Sequence, residues 1–129
     1  YRIVQQPGDK NALGHVKFMF PNKQNIYMHD TPSRQLFAST GRAFSHGCIR
    51  VHEAEAFAEK LMGLDRGMTK DEIDAIVAYG ELKRINLKQK VPVHLAYFTV
   101  WIGDDGVVQF FPDIYSRDRP VAQILFGQS

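Results

Sequence analysis

The chain has one cysteine, Cys48, and therefore cannot form an internal disulfide. A lone thiol has no partner to mispair with and says little about redox compartment. No run of lysine or arginine breaks an even scatter of charge that sums to +2. With no zinc-finger spacing and no RNA-binding signature either, nucleic acid is excluded as a partner. No apolar stretch approaches the ~20 residues needed to cross a bilayer, so the chain holds no membrane segment. Repeats, low-complexity tracts and obvious linkers are missing as well. Paired Cys-x-x-Cys and His-Glu-x-x-His spacings are absent, which argues against a zinc site built from His29, His46, Cys48 and His52.

What is present is the composition of one folded domain: 129 residues, 44% hydrophobic and 12% aromatic. His15-Val16-Lys17-Phe18-Met19-Phe20 and Ile26-Tyr27-Met28-His29 read as strands joined by the turn-forming Pro21-Asn22-Lys23-Gln24-Asn25. That hairpin puts His29 at a strand end, where Asp30-Thr31-Pro32 breaks the pairing. Ala54, Phe57, Ala58, Leu61 and Met62 share one helical face, with Gly63 as the expected stop. A capping box, Thr69-Lys70-Asp71-Glu72, opens a second helix that Gly80 ends. Val93 to Ile102 is apolar on both faces and predicts a central strand. Gly103-Asp104-Asp105-Gly106 turns it into a returning strand, Val107–Phe111, and Pro120–Phe126 predicts a last short helix. Strands, a helical insert and then strands predict a sheet-dominated α+β domain.

The chemistry concentrates around Cys48. A solitary cysteine commonly serves as a small buried hydrophobe, but Arg42, Ser45, His46 and Arg50 make its segment polar. A thiolate is a strong nucleophile near neutral pH, and an imidazole is the usual group to generate it. His29 lies upstream and His46 two residues away. Gly47 permits a sharp bend that can turn main-chain N–H groups toward an anionic intermediate. The helix beginning shortly after Cys48 can also favour negative charge at its N-terminus. His15 and His94 fall within expected strands and read as packing or hydrogen-bonding residues. Tyr27, Phe44, Tyr97, Trp101 and Tyr115 suit either a substrate groove or the core.

The interval from His29 to the tetrapeptide Ser45-His46-Gly47-Cys48 resembles the L,D-transpeptidase catalytic domain family, bacterial enzymes that cross-link peptidoglycan. Ile26 to Pro32 is similar to the family's base-bearing segment, and Arg42 to Val51 to its nucleophile loop. Pro92-Val93-His94 through Tyr115 is similar to the closing hairpin of the larger Gram-negative periplasmic members. The resemblance implies an L,D-transpeptidase-like β-sandwich with a short helical insert after the nucleophile loop. Cys48 would be the nucleophile and His29 its base, with the Asp30 backbone carbonyl orienting the ring, a role that needs no particular side chain. N–H groups around Gly47 and Cys48 would bind the oxyanion. His46 would help shape that pocket or contact the substrate, and Arg50 would position an acidic stem-peptide group or brace the loop. Ser45, Arg42, Tyr27 and Phe44 complete the expected substrate-binding set.

The reaction implied is transfer through a thioester. Cys48 acylates on a donor tetrapeptide stem with release of D-alanine, and an acceptor stem resolves the adduct into a 3→3 cross-link. No metal or other cofactor is required. Carbapenem-type β-lactams are expected to acylate the same thiol, and the location implied is the periplasm. Residues 1–129 are expected to be the C-terminal major part of the domain, preceded by further strands and a lid. An L,D-carboxypeptidase, or an endopeptidase or amidase acting on peptidoglycan stems, would use the same cysteine. A non-catalytic wall-binding module is the third alternative.

Overall fold

Two three-residue segments alternate in the same sense, Tyr27-Met28-His29 and Cys48-Ile49-Arg50, with the apolar residue in the middle. In a strand, that alternation sends the middle residue to one face and its neighbours to the other. A computed structural model describes residues 3–45 and 47–127, which form two compact units, Tyr1–Pro92 and Val93–Ser129.

In the first unit, β1 (Lys17–Phe18), β2 (Met28–His29) and β3 (Ile49–Arg50) make a three-stranded sheet in the order β1-β2-β3. β1 pairs antiparallel with β2, matching Lys17 with His29 and Phe18 with Met28. β2 pairs parallel with β3, matching Met28 with Ile49 and His29 with Arg50. Residues opposite each other share a face. One face therefore carries the apolar row Phe18, Met28, Ile49, and Phe18 stacks on Phe57 of the following helix at 4.9 Å. The other carries the polar row Lys17, His29, Arg50.

The strands are shorter than the sequence predicts, and Asn22 supplies the reason. Its side chain donates to the carbonyls of Phe20 (2.9 Å) and Ile26 (2.6 Å) and accepts from the N–H groups of Gln24 and Ile26. These bonds replace ladder pairs beside the turn. After β2, the Thr31 hydroxyl accepts from the Ser33 N–H, and a short 3-10 turn runs over Arg34–Ala38.

Helix α1 (Ala54–Arg66) runs through Gly63, the expected stop, and ends at Gly67, whose left-handed φ of 67° lets its N–H turn back to the carbonyls of Gly63 and Met62. Helix α2 (Lys70–Tyr79) has the expected capping box, with Thr69 and Glu72 each bonded to the other's backbone, and ends at Gly80. Ala54, Met62 and Ile73 are the buried apolar residues of these helices. Asp65 holds the chain beyond α2, accepting from the N–H groups of Lys88 (2.9 Å) and Gln89 (2.8 Å).

The second unit is a hairpin and a helix. β4 (Val100–Ile102) pairs antiparallel with β5 (Val108–Phe110), and α3 spans Asp118–Phe126 with Pro120 in its first turn, where a missing N–H is harmless. Asp113 ties it together. Its carboxylate accepts from the Tyr97 hydroxyl (2.7 Å) and from the N–H groups of Arg117 (2.9 Å) and Asp118 (2.8 Å) at the helix start.

The mixed α+β class is what the described residues form, but sheet dominance is not. Three helices of nine to thirteen residues outweigh strands of two or three. The central strand expected over Val93–Ile102 reduces to Val100–Ile102, with one partner and exposed side chains. Two apolar faces make a central strand only where partners and layers cover them, and among the described residues β5 alone pairs with it.

Candidate active site

The parallel β2–β3 pairing builds the site. The Ile49 N–H donates to the Tyr27 carbonyl (3.0 Å) and the Val51 N–H to the His29 carbonyl (2.8 Å). One step back along the register, Tyr27 stands opposite Cys48, on the face already carrying His29 and Arg50. Cys48 and His29 are thus diagonal neighbours on adjacent strands. Cys48 is half-buried and free, not a core residue.

The tautomer of His29 follows from its partner. Its ring is buried, and Nδ1 is hydrogen-bonded to the backbone carbonyl of Asp30. A carbonyl can only accept, so Nδ1 carries a hydrogen, and in the neutral ring the lone pair lies on Nε2. That is the form of imidazole able to take a proton.

Tyr27 bridges the two groups. Its ring meets that of His29 edge-on at 5.8 Å, and Lys17 Nζ sits 3.6 Å above its face. Contact with Cys48 in the first place, then burial and the charge of the thiolate, raise the phenol above its ordinary value. The face also holds two fixed cations, Lys17 and Arg50. Arg50 Nε is buried and has no acceptor among the described residues.

The loop before the cysteine is organised by Ser45. Its hydroxyl donates to the Cys48 carbonyl at 2.6 Å and accepts the Gly47 N–H at 3.1 Å. Gly47 has φ 136°, a conformation side chains rarely adopt. The Gly47 N–H is therefore committed to the turn, whereas the Cys48 N–H has no acceptor among the described residues. Ser45 is exposed, with its hydroxyl bonded within the loop. Phe44 is exposed, its N–H turned to the Arg42 carbonyl, and Arg42 is exposed too. His46 lies outside the described residues.

Among the described residues no three His, Cys, Asp or Glu side chains cluster as metal ligands. His52 is turned to the ring of Phe37, edge-on at 4.9 Å. His15 lies between carboxylates, with Nε2 3.2 Å from Asp9 and Nδ1 3.1 Å from Glu55, the latter out of line for a hydrogen bond. In the second unit, Tyr97 packs on Tyr115 and Trp101 on Phe98. Lys17 was not singled out by the sequence. The signal for it is the register of the first hairpin, which sets Lys17 opposite His29.

Residues 1–93 match the sequence model of the L,D-transpeptidase catalytic domain. That match covers the first compact unit and runs one residue past its end at Pro92. A Haemophilus influenzae protein provisionally named an L,D-transpeptidase is 38% identical over 121 residues, which is 94% of this chain and 24% of that protein. The chain spans about a quarter of the length of the curated relative it matches.

Proposed function

The chain belongs to the L,D-transpeptidase catalytic domain family, and from that membership we propose that it forms 3→3 cross-links between peptidoglycan stems in the periplasm. Cys48 is the nucleophile and His29 the base. The observation that carries the reading is the β2–β3 register, which sets a half-buried thiol and an imidazole of defined tautomer on one face.

The Cys48 proton moves to His29 Nε2, and the thiolate attacks the carbonyl carbon of diaminopimelate that bears the terminal D-alanine. Charge develops on the carbonyl oxygen, and among the described residues the Cys48 N–H is a main-chain donor left open to it. Collapse breaks the amide bond, and His29 returns the proton to the departing D-alanine amine, leaving a thioester. The side-chain amine of an acceptor stem then attacks, gives its proton to His29, and displaces the sulfur. Bond cleavage and bond formation are thus separated through a covalent intermediate, which a cysteine suits. Arg50 and Lys17 provide positive charge for an acidic stem, with Tyr27, Phe44 and Arg42 along the approach. Asp30 acts through its carbonyl, and Ser45 and Gly47 shape the loop. A carbapenem would enter by the same attack, its opened ring held as an acyl adduct on Cys48.

Purified donor and acceptor stems incubated with the protein, with products identified by mass spectrometry, test this reading. A dimer joined through two diaminopimelate residues, absent with Cys48→Ala, is the expected product. Free tripeptide with no dimer would instead make the protein an L,D-carboxypeptidase. Cleavage of preformed dimers would make it an endopeptidase.

A further inference from the structure

On the reading above, His29 serves as a base only while its Nδ1 hydrogen is directed at the Asp30 carbonyl. We propose that the carboxylate of Asp30 is the positioning group that fixes this carbonyl, so that a side chain remote from the reacting atoms governs the general base. The inference rests on the assigned roles of His29 and Cys48.

Asp30 is 3% exposed, an unusual state for an aspartate. Its Oδ2 accepts the His15 N–H at 3.0 Å, and its Oδ1 faces Arg34 Nη2 at 3.6 Å. Its own N–H donates to the Val16 carbonyl at 2.8 Å. Gly14 lies so close over the carboxylate that a Cβ there would overlap it. The residue is thereby tied at its amide, at both carboxylate oxygens and by contact. Its carbonyl is the remaining polar group, and that group holds His29.

A backbone carbonyl alone could be offered by any residue type. It stays aimed only if the peptide plane cannot rotate, and the buried carboxylate removes that rotation. The bond from the His15 N–H is charge-assisted and short of solvent, which makes it among the stronger kinds. Without the carboxylate the His15 N–H loses its partner, the turn over Gly14 loosens, and the plane beside His29 is released. Misplacement of a catalytic group by about 1 Å is worth on the order of a hundredfold in rate.

The test is the rate at which iodoacetamide alkylates Cys48, mapped by peptide mass in the full chain below the melting temperature of every variant. Wild type, His29→Ala, Asp30→Ala, the double variant and Asp30→Asn are compared. Asp30→Ala is expected to slow alkylation about 100-fold, toward the His29→Ala rate. In the absence of His29 it is expected to slow nothing further. Asp30→Asn, whose amide oxygen still accepts the His15 N–H, is expected to keep most of the wild-type rate. Should Asp30→Ala not fold, Gly14→Ala displaces the carboxylate without deleting it and enters the same cycle. Wild-type alkylation by Asp30→Ala overturns the inference, as does an equal slowing with and without His29. His29→Ala alkylating like wild type overturns the inference together with the assigned base, whereas a slow His29→Ala beside a fast Asp30→Ala removes the inference alone.

Discussion

The two compact units are held together in opposite ways. In the first, polar groups go inside. His29, Asp30 and Thr31 are buried beside a sheet whose apolar face rests on α1. In the second, apolar groups lie outside, with Phe110 78% and Ile124 83% exposed, and the chain is gathered around the carboxylate of Asp113. Burial of apolar surface is worth about 25 cal/mol per Å2, and exposed side chains contribute none of it. The first unit can therefore fix an imidazole in one orientation because packing surrounds it. The second is shaped by a few directional bonds to one aspartate. The proposed reacting residues, His29 and Cys48, lie in the unit whose polar groups are walled in, which is also the unit the family match covers.

The comparison is broken most severely at the site. Cys48→Ala is expected to abolish every covalent adduct, seen by intact mass after exposure to a carbapenem. His29→Ala is expected to slow acylation by about 100- to 10,000-fold, the range for loss of a general base. Substitutions of comparable size in the second unit, such as Tyr115→Ala, should leave the acylation rate of Cys48 near that of wild type. A Tyr115→Ala variant with a loss as deep as that of His29→Ala would show that the chemistry is not confined to the first unit.

The next effect is on stability. Met62 on α1 and Ile73 on α2 are buried, and Met62→Ala or Ile73→Ala is expected to destabilise the first unit by about 2 to 5 kcal/mol. Chemical denaturation followed by hydrogen exchange separates the units, because two units need not unfold together. Protection should fall in α1 and α2 and persist in α3.

Acid should act on the second unit through Asp113. Its carboxylate is held below the ordinary range by the Asp118 N–H first, then by the Arg117 N–H and the Tyr97 hydroxyl. A carboxylate whose folded value is lowered stabilises the fold above its unfolded value, about 4, and loses that contribution as pH falls through the lowered folded value. Amide protection in α3 is therefore expected to decline below about pH 4. In Asp113→Asn it should be weaker at neutral pH and flatter toward acid. Asp65, lowered by the Gln89 and Lys88 N–H groups, predicts the same sign for the 86–90 segment.

How far the sequence disclosed all this differs by residue. The capping box at Thr69 and Glu72 was legible because both partners lie within one turn, and Gly80 because a helix end needs a left-handed residue there. Gly63 misled because a glycine inside a helix and one ending it look alike until Gly67 takes the left-handed position. The pairing of β2 with β3 is parallel and joins segments a long loop apart, so no local pattern announced it. Recognition of the Ser45 to Cys48 motif drew attention to His29 and Cys48, and their common face emerged only with the register. The carboxylate of Asp30 was passed over for a related reason. Its partners, His15 and Gly14, sit on the far side of the hairpin, and nothing in Asp30-Thr31-Pro32 hints at them. Val93 to Ile102 misled in the opposite direction, since apolar character records what a segment could bury, not what it does bury.

The smallest expected effect is the sharpest check on the contrast between the units. Ile124 points into solvent from α3, so Ile124→Ala removes no buried surface and loses little helix propensity. Its effect on stability is expected to stay within about 0.5 kcal/mol, against several for Met62→Ala. The two substitutions delete similar amounts of hydrocarbon, so the difference isolates burial from chemistry. Denaturation of the full chain measures both. A loss above about 1 kcal/mol at Ile124 would mean that its side chain is covered in solution, because an exposed site has no transfer free energy of that size to lose. The second unit would then be held by packing like the first, and the division between a walled-in unit and one strung on Asp113 would fail.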